Sequence, residues 1–334
     1  MKAYVFPAGT QNLDDLKAVE RPDPRPGPGQ VLVRMRAGSL NYRDQMIAAG
    51  RYFAPMTRDT IPLSDGAGEV IETGAGVTSV KRGDKVAGTF SQPDPDGPAD
   101  GALLPRGVPL DGMLAEQVVM WESGVIPLPA GYTFTQGACL PCAGVTAWNC
   151  LFGAGKAVLP GQTVLVLGTG GVAIWALQFA RMAGCRVIAT TSQEAKVGRL
   201  KALGAQDVVN YRTHEEWDGQ VMQLTGGRGV DCVVEVGGAG TLQRSFNALA
   251  RGGKVGLIGV MTQGTSNPTT LMLKSGHLHG IMVGDRELFR QMNTAIEANG
   301  LQPVIDQVYP FEQAKEAFSH AASGNFVGKI VISI

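Results

Sequence analysis

The feature that constrains the fold most is a glycine-rich loop at residues 168–173, which reads Gly-Thr-Gly-Gly-Val-Ala. It follows an apolar run at 164–167 and leads into a helical pattern over 171–183. In such a loop the first glycine permits a tight turn, the second lets the backbone approach a pyrophosphate, and the small last residue lets the helix pack close to the strand. The helix N-terminus then faces the phosphate charge. We therefore predict a dinucleotide-binding loop whose contacts are Gly168, Thr169, Gly170, Gly171 and Val172.

The elements around this loop decide between a dinucleotide site and an ordinary turn, because glycine turns between strands and helices are common. Apolar strand patterns alternate here with helical patterns. The predicted strands are 163–167, 186–190, 207–209, 231–235 and 254–260, and the predicted helices are 171–183, 193–203, 214–225 and 240–250. Repeated strand–helix–strand units are typical of a doubly wound parallel sheet of the Rossmann type, in the α/β class.

The rest of the chain has a different pattern. Strand patterns occur at 31–35, 68–72 and 329–334, helical patterns at 286–298 and 311–323, and a polar run without either at 93–112. A length of 334 residues exceeds what one core usually serves, and the C-terminal tail is too small to fold alone. We predict a β-rich catalytic domain of residues 1–125 completed by 275–334, and a dinucleotide-binding domain of residues 126–274.

Composition argues against several classes of function. Lys and Arg together number 29, equal to Asp and Glu, and there is no basic run, so we expect neither nucleic acid nor an anionic membrane as a partner. The most apolar stretch, 163–183, is interrupted by glycines and Arg181, which argues against a membrane span. The N-terminus lacks a signal-peptide pattern and the five cysteines are an odd number, so we expect free thiols in a cytoplasmic protein.

The choice of dinucleotide is read at the end of the second strand, where NAD-binding proteins usually carry an acid that bonds the ribose diol. This chain has Thr191 and Ser192 there, with Lys196 close by and Tyr211 after the third strand. Small hydroxyls and a cation suit a 2′-phosphate, which a carboxylate would repel, and Tyr211 offers a ring for the adenine. We expect NADPH rather than NADH. An ordinary solvated helix face is the alternative for Lys196.

Several segments together resemble the medium-chain dehydrogenase/reductase superfamily over nearly the whole chain. They are Gly83-Asp84-Lys85-Val86, Cys142-Ala143-Gly144-Val145-Thr146-Ala147-Trp148, the glycine loop, Leu203-Gly204-Ala205 and Gly328-Lys329-Ile330-Val331. The resemblance implies that the β-rich catalytic domain is GroES-like, that the protein is a homodimer or homotetramer, and that Thr146 and Lys329 contact the cofactor. Gly237, Gly259 and Val260 end later strands, at the sheet edge along which such cofactors lie.

The chain departs from the zinc-dependent members of this superfamily at the metal ligands. Where those enzymes have Cys and His, this chain has Asn41 and Ser64, and only Cys142 keeps a thiol. An amide and a hydroxyl are poor ligands for zinc, which takes thiolate, imidazole or carboxylate. The four-cysteine structural zinc lobe is also missing, since residues 93–112 contain no cysteine. We expect no zinc.

The motif Asn-Tyr-Arg-Asp at 41–44 resembles the quinone oxidoreductase branch, and Gly-Arg-Tyr at 50–52 resembles the segment where related reductases place an active-site tyrosine. Without a metal, negative charge on a substrate oxygen must meet hydrogen-bond donors, and Asn41, Tyr42 and Tyr52 are the candidates. A tyrosine hydroxyl could also deliver the proton that completes the reduction. A turn role for Asn41, and a core or surface role for either tyrosine, are the alternatives.

These observations predict an NADPH-dependent, zinc-free reductase whose small-molecule substrates are quinones or α,β-unsaturated carbonyl compounds. Two other functions fit parts of the sequence. One is an alcohol dehydrogenase or aldehyde reductase of the same superfamily, and the other is an NADPH-binding protein with a structural or sensor role.

Overall fold

The computed structural model describes every residue from Met1 to Ile334, and the chain forms two compact units. The first unit comprises Met1–Cys142 and Phe289–Ile334, and the second comprises Ala143–Leu288. Both boundaries lie further along the chain than the predicted ones at 125/126 and 274/275. The first is later because the Ser39 hydroxyl donates to the Ala138 carbonyl (2.7 Å), which ties residues after 126 to the first unit. The second is later because a further strand at His277–Gly280 joins the sheet of the second unit.

Seventeen strands make up the sheets. In chain order they are β1 (Lys2–Val5), β2 (Lys17–Glu20), β3 (Gln30–Ser39), β4 (Asp65–Thr73), β5 (Lys85–Gly88), β6 (Ser91–Gln92), β7 (Leu104–Pro105), β8 (Gln117–Trp121), β9 (Val125–Pro127), β10 (Thr163–Val166), β11 (Arg186–Thr191), β12 (Asp207–Asn210), β13 (Val230–Glu235), β14 (Leu249–Leu257), β15 (His277–Gly280), β16 (Ile305–Pro310) and β17 (Lys329–Ser333).

Ten α-helices accompany the strands, and none of them is long and apolar enough to cross a lipid bilayer. They are α1 (Tyr42–Ala48), α2 (Phe134–Gly137), α3 (Val145–Trp148), α4 (Gly171–Met182), α5 (Val197–Leu203), α6 (Trp217–Leu224), α7 (Ala239–Ala248), α8 (Pro268–Leu273), α9 (Arg286–Asn299) and α10 (Ala314–Ser323). Wider helical turns of π type at Leu140–Gly144 and Asn149–Gly153 flank α3 on both sides.

The second unit is built on a six-stranded sheet in the order β12-β11-β10-β13-β14-β15, with every neighbouring pair parallel. This confirms the α/β class and the doubly wound parallel sheet. The apolar strands of this sheet pack against its helices. Their shared core includes Leu165, Ile188, Val233 and Phe246, all of them buried. A strand that helices cover on both faces is buried on both, which is why its sequence is a continuous apolar run. The sixth strand, β15, is mostly exposed and has no such run.

The first unit is built on a largely antiparallel sheet in the order β16-β17-β3-β4-β5-β9, with β8 also paired to β3. The C-terminal strand β17 pairs antiparallel with β3, so the tail completes the N-terminal region. Residues Phe6 and Phe318 meet edge to face in this core, with ring centroids 5.6 Å apart. Inside the polar run 93–112, Leu104–Pro105 pairs with β6, a short strand that the pattern did not predict.

Candidate active site and cofactor-binding loop

The glycine loop joins β10 to α4 in the second unit. Gly168 has φ +79°, a left-handed conformation that favours glycine. A Cβ placed on Gly170 would find no atom within 4 Å, so its backbone is open to a ligand. Gly171 and Val172 are the first two residues of α4, and no side chain caps this helix N-terminus. Uncapped N–H groups together with the helix dipole form a site for an anion.

Thr190, near the end of β11, supports this loop and was not singled out from the sequence. Its side chain is 2% exposed, and its Oγ1 accepts a hydrogen bond from the N–H of Gly168 at 3.0 Å. The bond fixes the first glycine of the loop to the neighbouring strand. In the sequence, the only indication of this supporting role is a hydroxyl residue at the carboxyl end of an apolar strand.

The residues predicted to select the cofactor have different surroundings. The Thr191 hydroxyl accepts from the N–H of Gln193 (3.1 Å) and Thr191 is 1% exposed, so it stabilises its own turn. Ser192 is half-buried just after β11. Lys196 Nζ donates to Thr169 Oγ1 at 3.3 Å, which places a cation beside the glycine loop. Tyr211 is 39% exposed, and its N–H donates to the Thr191 carbonyl at 3.0 Å.

A buried carboxylate shapes the turn after β13. Glu235 is fully buried, and its Oε1 accepts from the N–H groups of Gly237 (2.7 Å) and Gly238 (3.0 Å) and from the Thr241 hydroxyl (2.6 Å). Its Oε2 accepts from the Ser245 hydroxyl. The predicted cofactor residue Gly237 is therefore held at the carboxyl edge of the sheet by a side chain that the sequence analysis did not single out.

The other predicted cofactor residues of the second unit lie just after the end of β14 and in α3. A Cβ on Gly259 would fall 1.9 Å from the Val236 carbonyl oxygen, so the turn admits only glycine. Val260 follows it and is 52% exposed. Thr146 lies in α3 and is 3% exposed. Gly237, Gly259 and Val260 thus follow the carboxyl ends of β13 and β14, which are adjacent parallel strands.

Asn41 immediately precedes α1 in the first unit, and its side-chain amide is held from two sides. Its Oδ1 accepts from Lys329 Nζ at 2.5 Å, and its Nδ2 donates to Ser64 Oγ at 3.4 Å. Lys329 also donates to the Leu40 carbonyl at 2.6 Å and is 2% exposed. We expected Lys329 to contact the cofactor. In the structure its ammonium group is buried between two acceptors of the segment before α1.

Asp65 completes this cluster, and sequence reasoning missed it. It is fully buried, its Oδ1 accepts from the Ser64 hydroxyl (2.7 Å), and its Oδ2 accepts from the N–H of Cys142 (3.0 Å). The Lys329 ammonium lies 3.9 Å from Oδ2. The buried positive charge and the buried negative charge therefore compensate each other across the positions where zinc-dependent relatives would carry metal ligands.

The residues at these positions do not fit zinc. Asn41 and Ser64 supply an amide and a hydroxyl, whose hydrogen bonds are directed to Lys329 and Asp65. Desolvation and the nearby Asp65 carboxylate raise the pKa of the Cys142 thiol to about 12, which disfavours the thiolate that would bind a metal. No cluster of three or more His, Cys, Asp or Glu side chains with metal-binding proximity occurs in the structure.

The two predicted tyrosines differ in environment. Tyr52 is half-buried, and its hydroxyl oxygen accepts from Arg43 Nε at 3.3 Å. The Arg43 guanidinium is buried between the rings of Tyr52 and Phe90, with its carbon 4.8 Å and 5.1 Å from the ring centroids. Tyr42 is the first residue of α1 and is 44% exposed. Because arginine only donates, the Tyr52 hydroxyl proton is left to donate elsewhere.

Asp44 lies on the first turn of α1. Its Oδ2 accepts from the N–H of Asn41 at 2.7 Å, which fixes the start of the helix. Its Oδ1 has no hydrogen-bond partner and lies 3.8 Å from Arg43 Nη1. Desolvation raises the pKa of the Asp44 carboxyl to about 6, against the lowering effect of Arg43.

Comparison with known proteins agrees with this architecture. The alcohol dehydrogenase GroES-like domain family matches residues 27–130, and the zinc-binding dehydrogenase family matches residues 171–298. A zinc-type alcohol dehydrogenase-like protein of Schizosaccharomyces pombe is 39% identical, with 99% of each chain covered. A quinone oxidoreductase of Rattus norvegicus is 29% identical over 92% of this chain and 90% of its own. The solved structure of an NAD-dependent alcohol dehydrogenase superposes with a TM-score of 0.89 at 30% identity, covering 100% of both chains.

A GroES-like unit together with a Rossmann unit that carries an open glycine loop defines a two-domain oxidoreductase. The chain belongs to the medium-chain dehydrogenase/reductase superfamily, in its quinone oxidoreductase-like branch.

Proposed function

We propose that this protein is an NADPH-dependent reductase of quinones or α,β-unsaturated carbonyl compounds and that it works without zinc. The observation that carries the proposal is the set of side chains around Asn41. A charge-compensated network of Lys329, Asn41, Ser64 and Asp65 stands at the metal-ligand positions, and its members are already engaged with one another. A reaction at this site must therefore rely on hydrogen-bond donors.

The residues of the second unit fit a phosphorylated dinucleotide. The open backbone at Gly170 and the uncapped start of α4 would hold the pyrophosphate. Ser192 and Lys196 would face the 2′-phosphate, and no carboxylate stands at the end of β11 to bond a ribose diol. Bound NADPH would supply the hydride, which is the chemistry that no side chain of this protein can supply.

The side chains of the first unit would stabilise and protonate the reduced product. The Asn41 amide donates toward the substrate oxygen, where negative charge grows, and one oriented donor of this kind contributes about 3 kcal/mol. Tyr52 holds its hydroxyl proton away from Arg43 and would donate it to the substrate. Tyr42, which is exposed, remains a second candidate for that step. A protonated tyrosine acts as a general acid without a metal.

The test is NADPH oxidation, followed by absorbance, against a matched panel of quinones, enones, saturated ketones and aldehydes. The proposal predicts turnover of quinones or enones, with little turnover of the saturated analogues and a higher kcat/KM for NADPH than for NADH. Turnover restricted to saturated aldehydes would contradict it. Absence of turnover with every acceptor, in protein that binds NADPH, would favour a structural or sensor role instead.

A second function is favoured by one finding, the likeness to a zinc-type alcohol dehydrogenase-like protein over the whole chain. In that case the protein would interconvert simple alcohols and aldehydes. Oxidation of a panel of primary and secondary alcohols with NADP⁺ and NAD⁺, before and after incubation with zinc, separates the two functions. We further propose that the protein is a cytoplasmic homodimer or homotetramer. The molar mass from light scattering after gel filtration would test the number of subunits.

A further inference from the structure

The buried ammonium group of Lys329 has an unusual pair of partners. Two of its hydrogen bonds go to neutral oxygens, the Leu40 carbonyl and the Asn41 amide oxygen, at 2.6 Å and 2.5 Å. The nearest carboxylate, on Asp65, is 3.9 Å away and beyond hydrogen-bond distance. A lysine that served only to neutralise Asp65 would approach it more closely. The geometry directs the ammonium group at the segment that carries Asn41.

This contact decides which way the Asn41 amide points. The oxygen and nitrogen of an asparagine amide are nearly equal in size, so the group can turn over unless its partners differ. An ammonium group donates and never accepts, and the atom that faces Lys329 must therefore be the oxygen. The amide nitrogen is then turned toward Ser64, at 3.4 Å from its Oγ.

Ser64 is compatible with only this orientation. Its hydroxyl proton is donated to Asp65 Oδ1 at 2.7 Å, so its oxygen is left to accept. The amide nitrogen of Asn41 carries two protons, of which one is directed at Ser64. The second proton has no acceptor within this cluster. A donor in a fixed direction is what a growing negative charge on a substrate oxygen requires.

We propose that Lys329 is a positioning residue for Asn41, which fixes the amide so that its N–H faces the substrate oxygen. The ammonium charge also polarises the amide and strengthens that N–H as a donor. The inference rests on the proposed role of Asn41 as the donor. It can be distinguished by experiment from a cofactor contact of Lys329, because the two roles affect different measurements.

The test combines the variants Lys329→Met and Asn41→Ala with the double variant. Methionine has a similar length and no donor. With the best quinone or enone as acceptor, kcat is expected to fall about 100-fold in Asn41→Ala, and about tenfold in Lys329→Met because the amide is no longer fixed. The double variant is expected to match Asn41→Ala, because a residue that acts through another adds nothing once that other is gone. The Kd for NADPH, measured by fluorescence, is expected to stay within about twofold in all three.

Lys254→Met is the matched control. Lys254 is also buried, at 6% exposed, and donates to the carbonyls of Leu151 and Ala154, but it contacts none of the proposed donors. Its loss is expected to lower the melting temperature and to leave kcat within about twofold, and its effect should multiply with that of Asn41→Ala.

Three outcomes would overturn the positioning role. Multiplicative losses of kcat in the Lys329→Met/Asn41→Ala double variant would show that Lys329 acts independently of Asn41. A higher Kd for NADPH in Lys329→Met, at unchanged kcat, would show that Lys329 contacts the cofactor. An unchanged kcat in Asn41→Ala would instead remove the donor role of the proposed function itself. If Lys329→Met does not fold because Asp65 loses its counter-charge, Lys329→Met/Asp65→Asn removes both charges, and the same tenfold loss is expected of it.

Discussion

Replacing Ser192 by aspartate is expected to shift the dinucleotide preference toward NADH. Ser192 is half-buried at the end of β11, and the Lys196 ammonium lies beside the glycine loop, 3.3 Å from Thr169 Oγ1. A carboxylate about 5 Å from a 2′-phosphate would repel it by about 1–3 kcal/mol at effective dielectric constants between those of water and a protein surface. The same carboxylate would accept from a ribose diol and stabilise bound NADH by about 1.5 kcal/mol.

Together these effects predict a shift of about 100-fold to 1,000-fold in the ratio of kcat/KM for NADPH to that for NADH. The ratio is the appropriate measurement, because any general loss of folded enzyme cancels in it. The control is Ser192→Asn, which has the shape of aspartate without its charge and should retain NADPH preference. Lys196→Met should lower kcat/KM for NADPH only, and the Ser192→Asp effect should weaken as salt screens it.

An unchanged ratio in Ser192→Asp would refute the assignment of this strand end to the 2′-phosphate. So would an equal shift in Ser192→Asn, because the cause would then be shape rather than charge. A wild-type enzyme that prefers NADH would contradict the expectation before any variant is made.

Three further predictions concern single side chains. Glu235→Ala leaves buried donors around Gly237 without an acceptor and should lower the free energy of unfolding by about 3–5 kcal/mol, measured by urea denaturation; a loss no larger than that of Glu235→Gln would contradict this. The pKa of the Asp44 carboxyl is about 6 in the folded protein against 3.8 for the free side chain, so its contribution to stability is present below pH 3.8 and is lost as the pH rises through 6. The free energy of unfolding of Asp44→Asn should therefore rise by up to about 3 kcal/mol relative to the wild type between pH 4 and pH 8. Parallel pH profiles of the two proteins would refute this. Tyr52→Phe should lower kcat about tenfold or more without changing the Kd for NADPH, and an unaffected kcat would transfer the proton-donor role to Tyr42 or water.

The Rossmann half of the fold could be predicted from local patterns, since its strands and helices each bury a periodic apolar face. The predicted strand at 207–209 and helix at 171–183 agree with β12 and α4 to within a residue. The strand at His277–Gly280 was not assigned to this sheet from the sequence, because it is an exposed edge strand without an apolar run. The predicted last strand extended to 260, whereas β14 ends at Leu257, because the close approach of Gly259 to Val236 forms a turn.

The candidate site could be predicted only at positions where the identity of a single residue is informative without knowledge of its partners. Asn41, Ser64 and Cys142 could be compared with zinc ligands one position at a time. The partners that define their roles could not, because Asn41 and Lys329 are 288 residues apart in the chain and no periodicity links them. Asp65 likewise gave no local signal, since a single carboxylate at the start of a strand is usually solvated.

Whether this oxidoreductase works without zinc is tested by elemental analysis of the same purified sample that oxidises NADPH with a quinone or enone. We expect far less than one zinc ion per chain, and activity that survives dialysis against a chelator. One zinc ion per chain, with activity lost on chelation and restored by zinc, would contradict it.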